Sequence, residues 1–191
     1  MILLIPTTQI DTEWWNLYTG AFPAEERRGR EMHVQALLDT HFHAFRLQDA
    51  NEFVGLLTWW QWEDMLYIEH LAIAEEKRGK GYGHAALAEL QQRGQNIILE
   101  IEPITDEITA RRLEFYRSCG FRALTYPHVQ LAYQQGFADI PLLLLAFSHS
   151  GKEWGNDEVA RFETLFAHGP MRYRDACMAC SISPESKNPL G

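Results

Sequence analysis

The stretch EEKRGKGYGHAAL, residues 75–87, directly follows the apolar, β-rich run MLYIEHLAIA at 65–74. Its first nine residues hold three glycines (Gly79, Gly81, Gly83) and three cations (Lys77, Arg78, Lys80). A strand does not continue through such a run, because glycine in a strand interior costs order and leaves nothing to pack. Beyond it Ala85, Ala86, Leu87 and Leu90 recur at helical spacing, and Gly94 stops the helix just after Arg93. The next segment, NIILEIE at 96–102, is again strand-like, with Glu100 and Glu102 on one face and Ile97, Leu99 and Ile101 on the other. This part of the chain therefore has to make a β-α-β crossover whose helix opens on glycines and cations.

The remaining pattern extends that unit into a sheet. ILLIP (2–6) reads as a first strand ended by Pro6, followed by helices at about 11–20 and 23–39. HAFRLQD and EFVGLLTWWQW read as two strands across a turn at Ala50–Asn51, with 65–74 as a third. Residues 107–118 form a helix, and FRALTYPHVQLAY with IPLLLLAF forms a long antiparallel pair. Three antiparallel strands followed by a crossover imply a mixed α/β (α+β) fold: a mostly antiparallel sheet of about seven strands with helices on both faces. The expected organisation is one domain over 1–150, a C-terminal helix at 151–168 and a loose tail at 169–191.

With 191 residues and 46% hydrophobic side chains, the chain can bury a sizeable core. Its net charge of −9 argues against non-specific nucleic-acid binding and mildly favours cationic partners. No segment is apolar over the eighteen or so residues a membrane helix needs, and MILLIPTTQ lacks the length and basic flank of a signal peptide. Cys119, Cys177 and Cys180 suit a reducing compartment. A cytoplasmic location with no membrane partner is expected.

Physically, the helix mouth is an anion site. First-turn N–H groups lack intrahelical partners and carry partial positive charge. Glycines let a phosphate approach the backbone, and Lys77, Arg78 and Lys80 add cations. A dinucleotide fingerprint would need glycine where His84 stands, and the spacing from Gly79 or Gly81 makes no Walker A loop.

Arg78-Gly79-Lys80-Gly81-Tyr82-Gly83 resembles the R/Q-x-x-G-x-G/A signature of the GNAT superfamily of acetyl-CoA-dependent N-acetyltransferases. FYRSCGF at 115–121 resembles the family's helix-end FYxxxGF, and the element order fits over roughly residues 1–148. AFPAEERR and the Tyr126, Gln130, Tyr133 stretch resemble a bacterial subgroup of unassigned acceptor.

The resemblance implies acetyl-CoA as co-substrate and no metal. Arg78, Gly79, Lys80, Gly81, Tyr82, Gly83 and His84 would hold the pyrophosphate. The backbone of Leu71, Ala72 and Ile73 would run along the pantetheine, with an amide near Leu71 polarising the thioester carbonyl. Tyr116 would protonate the departing thiolate or, alternatively, only pack on Phe121. Thr109 stands where family members often have Asn, and Arg112 where they often have a small residue; both are assigned to the CoA side, with a pair from Arg111 or Arg112 to Glu114 or Glu102 as the alternative. An amine must lose a proton before attack, and Glu69 is the candidate base, with an ion pair to Arg111 or Arg112 as the alternative. On the same strand, His70 alternates to the opposite face. Glu100, Glu102 and Trp59 are assigned to a small-molecule or peptide amine acceptor, with a structural ion pair as the alternative for the two glutamates.

Cys177-Met-Ala-Cys180 lacks a second pair for structural zinc. The expected function is direct N-acetyl transfer in a ternary complex, by a monomer or homodimer. The alternative is a non-catalytic acyl-CoA-binding regulatory module on the same fold.

Overall fold

The computed structural model describes residues 2–175. Strand β1 (Leu3–Pro6) leads into helix α1 (Thr12–Ala21), which starts where the Asp11 side chain accepts the Trp14 N–H at 2.9 Å. The helix expected over 23–39 is broken into a 3-10 turn, Ala24–Glu26, and the short α2 (Arg30–Ala36). Between them Arg27 is extended and Arg28 is fully buried, so a tertiary ion pair overrides local helix propensity.

Strands β2 (Phe42–Asp49), β3 (Glu52–Gln61) and β4 (Met65–Ile73) form the antiparallel meander. Its first turn uses Ala50 and Asn51, both at positive φ. Helix α3 (Tyr82–Gln91) then crosses over to β5 (Asn96–Ile101), which pairs parallel with β4. Helix α4 (Glu107–Ser118) precedes β6 (Arg122–Ala123), β7 (His128–Gln130), β8 (Ile140–Phe147) and α5 (Asn156–His168). The run FRALTYPHVQLAY is therefore two short strands, both paired with β8. The sheet runs β1-β2-β3-β4-β5-β8-β6 with β7 attached to β8, eight strands in all.

Two cores lie on opposite faces. One gathers Trp14 and Tyr18 of α1, Trp60, Tyr67, and Phe162 and Phe166 of α5. The other gathers Trp59, Leu66, Ile68, Leu99, Ala86, Leu87 and Leu90 of α3, and Tyr116 of α4. Strand alternation explains the division, since Trp59 and Trp60 point to different faces. The tail expected from 169 onward begins with a packed 3-10 turn, Pro170–Tyr173, with Met171 buried. Cys177 and Cys180 lie outside the described residues. Among the described residues, no helix is long and apolar enough to cross a membrane.

Candidate active site

The parallel pair that the crossover creates does not stay closed. β4 and β5 are in register from Met65–Asn96 to Ile68–Leu99, and the ladder ends there although β4 continues to Ile73. On its other side β4 remains paired with β3 as far as Ile73. The β5-facing edge of Leu71–Ile73 thus opens on a cleft of about 1030 Å³, which also reaches Gly79, Gly81 and Tyr116. An extended chain fits such an edge, because unpaired strand N–H and C=O groups accept one more strand.

The opening coincides with a bulge. Thr58 pairs with His70 and Trp59 with Ile68, so Glu69 has no partner on β3. A bulge of this kind re-aims side chains. It corrects the simple alternation expected from the sequence: His70 sits against Tyr18 and Phe22 of the first core, on the same face as Glu69. His70 is buried and hydrogen-bonded, to Thr58 at 3.2 Å and to the Glu26 carbonyl at 3.0 Å.

At the cleft's other end is the mouth of α3. Gly81 is its N-cap at φ 81° and supplies no side-chain cap, while Gly79 has φ 76°. Both conformations favour glycine, and a Cβ at either would meet no atom within 4 Å. The space over these backbone amides is what a pyrophosphate requires. At Gly83 the reason for glycine differs: a Cβ would come within 3.0 Å of the Phe115 ring, so this residue lets α3 approach α4. Arg78 and Lys80 are exposed on the loop. Lys77, by contrast, is held by Glu52 at 2.5 Å. Tyr82 gives its hydroxyl to Asp49 at 2.8 Å, and the His84 ring contacts the Ser118 hydroxyl at 3.0 Å.

Glu69 does form an ion pair, with Arg28 rather than with Arg111 or Arg112. The guanidinium donates to both carboxylate oxygens at 2.6 and 2.7 Å, and the Tyr133 hydroxyl donates to Oε1. Both side chains are at most 1% exposed. Arg28 also donates to the Pro170 carbonyl at 3.0 Å and lies 4.7 Å from the Tyr133 ring centroid. Burial alone would raise the Glu69 pKa, but Arg28 and the hydrogen bonds hold it far below the usual carboxylate range. A carboxylate so committed is a poor proton acceptor.

Tyr116 lines the cleft and packs edge-on against Phe121. Burial pushes its pKa up to about 12, so its hydroxyl stays protonated at pH 7. Its hydroxyl has no hydrogen-bond partner among the described residues. Burial likewise pushes the Cys119 thiol up, which disfavours a nucleophile there.

Several expected ligands are occupied elsewhere. Thr109 closes the capping box of α4 with Asp106 and is not on the cleft wall. Trp59 faces away from the cleft, stacked on Phe45 at 4.3 Å with the Arg93 guanidinium 5.0 Å from its ring. Its assignment to the acceptor pocket is therefore corrected. Arg112 lines the cleft but pairs with Glu102. Glu100 accepts from Tyr67 and from His128, whose other ring nitrogen contacts Glu163 at 2.6 Å. Among the described residues, no group of three or more His, Cys, Asp or Glu is placed to hold a metal ion.

The sequence reading missed Arg28, Tyr133, His128 and Glu26. For Arg28 and Glu26 the one signal was the dense charge in AFPAEERR, which local helix patterning masked; Tyr133 stood in the noted Tyr126, Gln130, Tyr133 stretch without a role, and His128 had no local signal.

An open mixed sheet whose parallel pair parts beside a glycine-lined helix mouth is the architecture of a CoA-dependent acyltransferase. Residues 9–121 match the model of the acetyltransferase (GNAT) family, and the chain belongs to that family. A candidate GNAT-family acetyltransferase of Bacteroides thetaiotaomicron shares the fold at a TM-score of 0.78 and 24% identity, over 92% of this chain and 99% of that one. A GNAT acetyltransferase of Elizabethkingia anophelis with acetyl-CoA bound gives a TM-score of 0.54 at 20% identity, over 77% and 97%. YjbC of Bacillus subtilis (strain 168), a candidate acetyltransferase, is 26% identical over 111 residues, 57% of this chain. The match spans 56%, about half, of the length of YjbC.

Proposed function

We propose that the protein is an N-acetyltransferase that moves the acetyl group of acetyl-CoA to a primary amine of a small molecule or peptide, by direct attack in a ternary complex. One observation carries this reading: the unpaired edge of β4 beyond Ile68 faces a cleft that ends at an uncapped, glycine-lined helix N-terminus. In this reading the amides of Tyr82, Gly83 and His84, with Arg78 and Lys80, hold the pyrophosphate. The backbone of Leu71–Ile73 pairs with the pantetheine, and the Leu71 amide polarises the thioester carbonyl. Tyr116 gives its proton to the departing thiolate. Glu69 anchors the bulge through Arg28 and Tyr133 instead of taking a proton. The acetyl-CoA bound to the Elizabethkingia relative supports the choice of co-substrate.

CoA and acetyl-CoA are expected to raise the melting temperature by selective binding to the folded state, and NAD is not. Tyr116→Phe should keep that shift while lowering turnover on the order of 10²-fold. Equal shifts with NAD, or none with CoA, would contradict the reading. The closed Glu69–Arg28 pair favours one alternative, a non-catalytic acyl-CoA-binding module; it predicts the CoA shift without thiol release from acetyl-CoA on adding amines.

A further inference from the structure

We infer that Glu26 is the proton acceptor for the incoming amine, and that the acceptor therefore binds as an ammonium ion opposite the thioester. The inference rests on the transferase reading above.

The first argument is one of elimination among carboxylates on the cleft wall. Glu69 is closed by Arg28 and Tyr133, Glu100 by Tyr67 and His128, and Glu102 by Arg112. Glu26 lines the same cleft, and its carboxylate has no hydrogen bond or ion pair among the described residues. The second argument is placement. The Glu26 carbonyl accepts from the His70 ring at 3.0 Å, and the Glu25 carbonyl accepts the Tyr133 N–H at 2.9 Å. The 3-10 turn is thus pinned to His70, two residues past the last β4–β5 pair at Ile68, and Glu26 shares the cleft wall with Leu71. Arg28, two residues on, fastens the same segment to Glu69. A base has to be held before the substrate arrives, and these contacts hold it.

Its electrostatics agree with that task. Burial raises the Glu26 pKa to about 7, aided by Glu102, Glu25 and Glu100 and opposed by Arg112. Glu26 and Glu69 both line the cleft, and their environments push their pKa values in opposite directions, the usual mark of divided roles.

The step balances as follows. The Glu26 carboxylate takes one proton from R–NH₃⁺, leaving a neutral carboxyl and R–NH₂. The nitrogen lone pair forms the N–C bond at the thioester carbonyl. The C–S bond then breaks, with its electrons on sulfur, and the thiolate takes the Tyr116 proton. The surplus proton on nitrogen restores Tyr116, and Glu26 releases its proton to water.

The test compares Glu26→Gln, Glu25→Gln and wild type in thiol release from acetyl-CoA. The probes are a diamine, an aminoglycoside and lysine-containing peptides. For wild type, kcat/KM should rise with pH through about 7, as Glu26 ionises, and fall above the amine's own pKa. Glu26→Gln should lose the lower limb, rise only as free amine forms, and be on the order of 10²-fold slower at pH 7.5. Its CoA-induced melting shift should be unchanged, and Glu25→Gln should stay within about threefold of wild type, since surface changes are small. A lower limb retained in Glu26→Gln would overturn the assignment of Glu26 alone. No thiol release by wild type with any probe would overturn the transferase reading and this inference together.

Discussion

Arg28 has almost no water left around it, and its charge is stabilised by Glu69, by the Pro170 carbonyl and by the rings of Phe42, Trp60 and Tyr133. Removing one half of such a pair leaves an uncompensated buried charge. Arg28→Met should therefore cost about 3–5 kcal/mol in urea unfolding, and Arg28→Met with Glu69→Leu should regain much of it. A loss below about 1 kcal/mol for the single variant would mean that the pair is solvated. This residue also shows what the sequence could not disclose. Glu69 was legible as a carboxylate on β4, but its partners lie 41 and 64 residues away. No local spacing encodes such contacts. Tyr116 was legible because the FYRSCGF pattern fixes the end of a helix.

At the scale of elements, β7 is tied to its surroundings by one titrating side chain. Burial would lower the His128 pKa, but the carboxylates of Glu100 and Glu163 on its two nitrogens raise it to about 9. A raised histidine pKa adds stability that is complete below the unfolded value, about 6.5, and lost as pH rises through about 9. The melting temperature of wild type should thus fall between pH 7 and 9.5, and His128→Gln should flatten that fall. An unchanged slope in the variant would separate His128 from the effect. The β4-α3-β5 crossover was readable because its glycines, helical period and alternating strand are all local. The bulge at Glu69 was not, since one unpaired residue leaves the pattern of apolar side chains nearly intact. For the same reason the helix read over 23–39 is really a turn and a short helix, broken by burial of Arg28.

For the whole molecule, the eight-stranded sheet does one mechanical thing: it keeps β4 paired to β3 while releasing it from β5. Helices α3 and α4 on one face bring the helix mouth and Tyr116 to that gap, and the α1–α2 segment on the other brings Glu26. The sequence carried the sheet and the glycine-lined helix mouth of the cleft, because glycine and backbone chemistry dominate there. The acceptor side was less legible, because it is built from side chains brought together by distant segments. The most direct test is a mass measurement of products after incubation with acetyl-CoA and the amine probes. The account predicts N-acetylated amine and free CoA in equal amounts, with no acetyl group on the protein. Bound acetyl-CoA that yields no acetylated amine, or a stable acetylated protein, would contradict it.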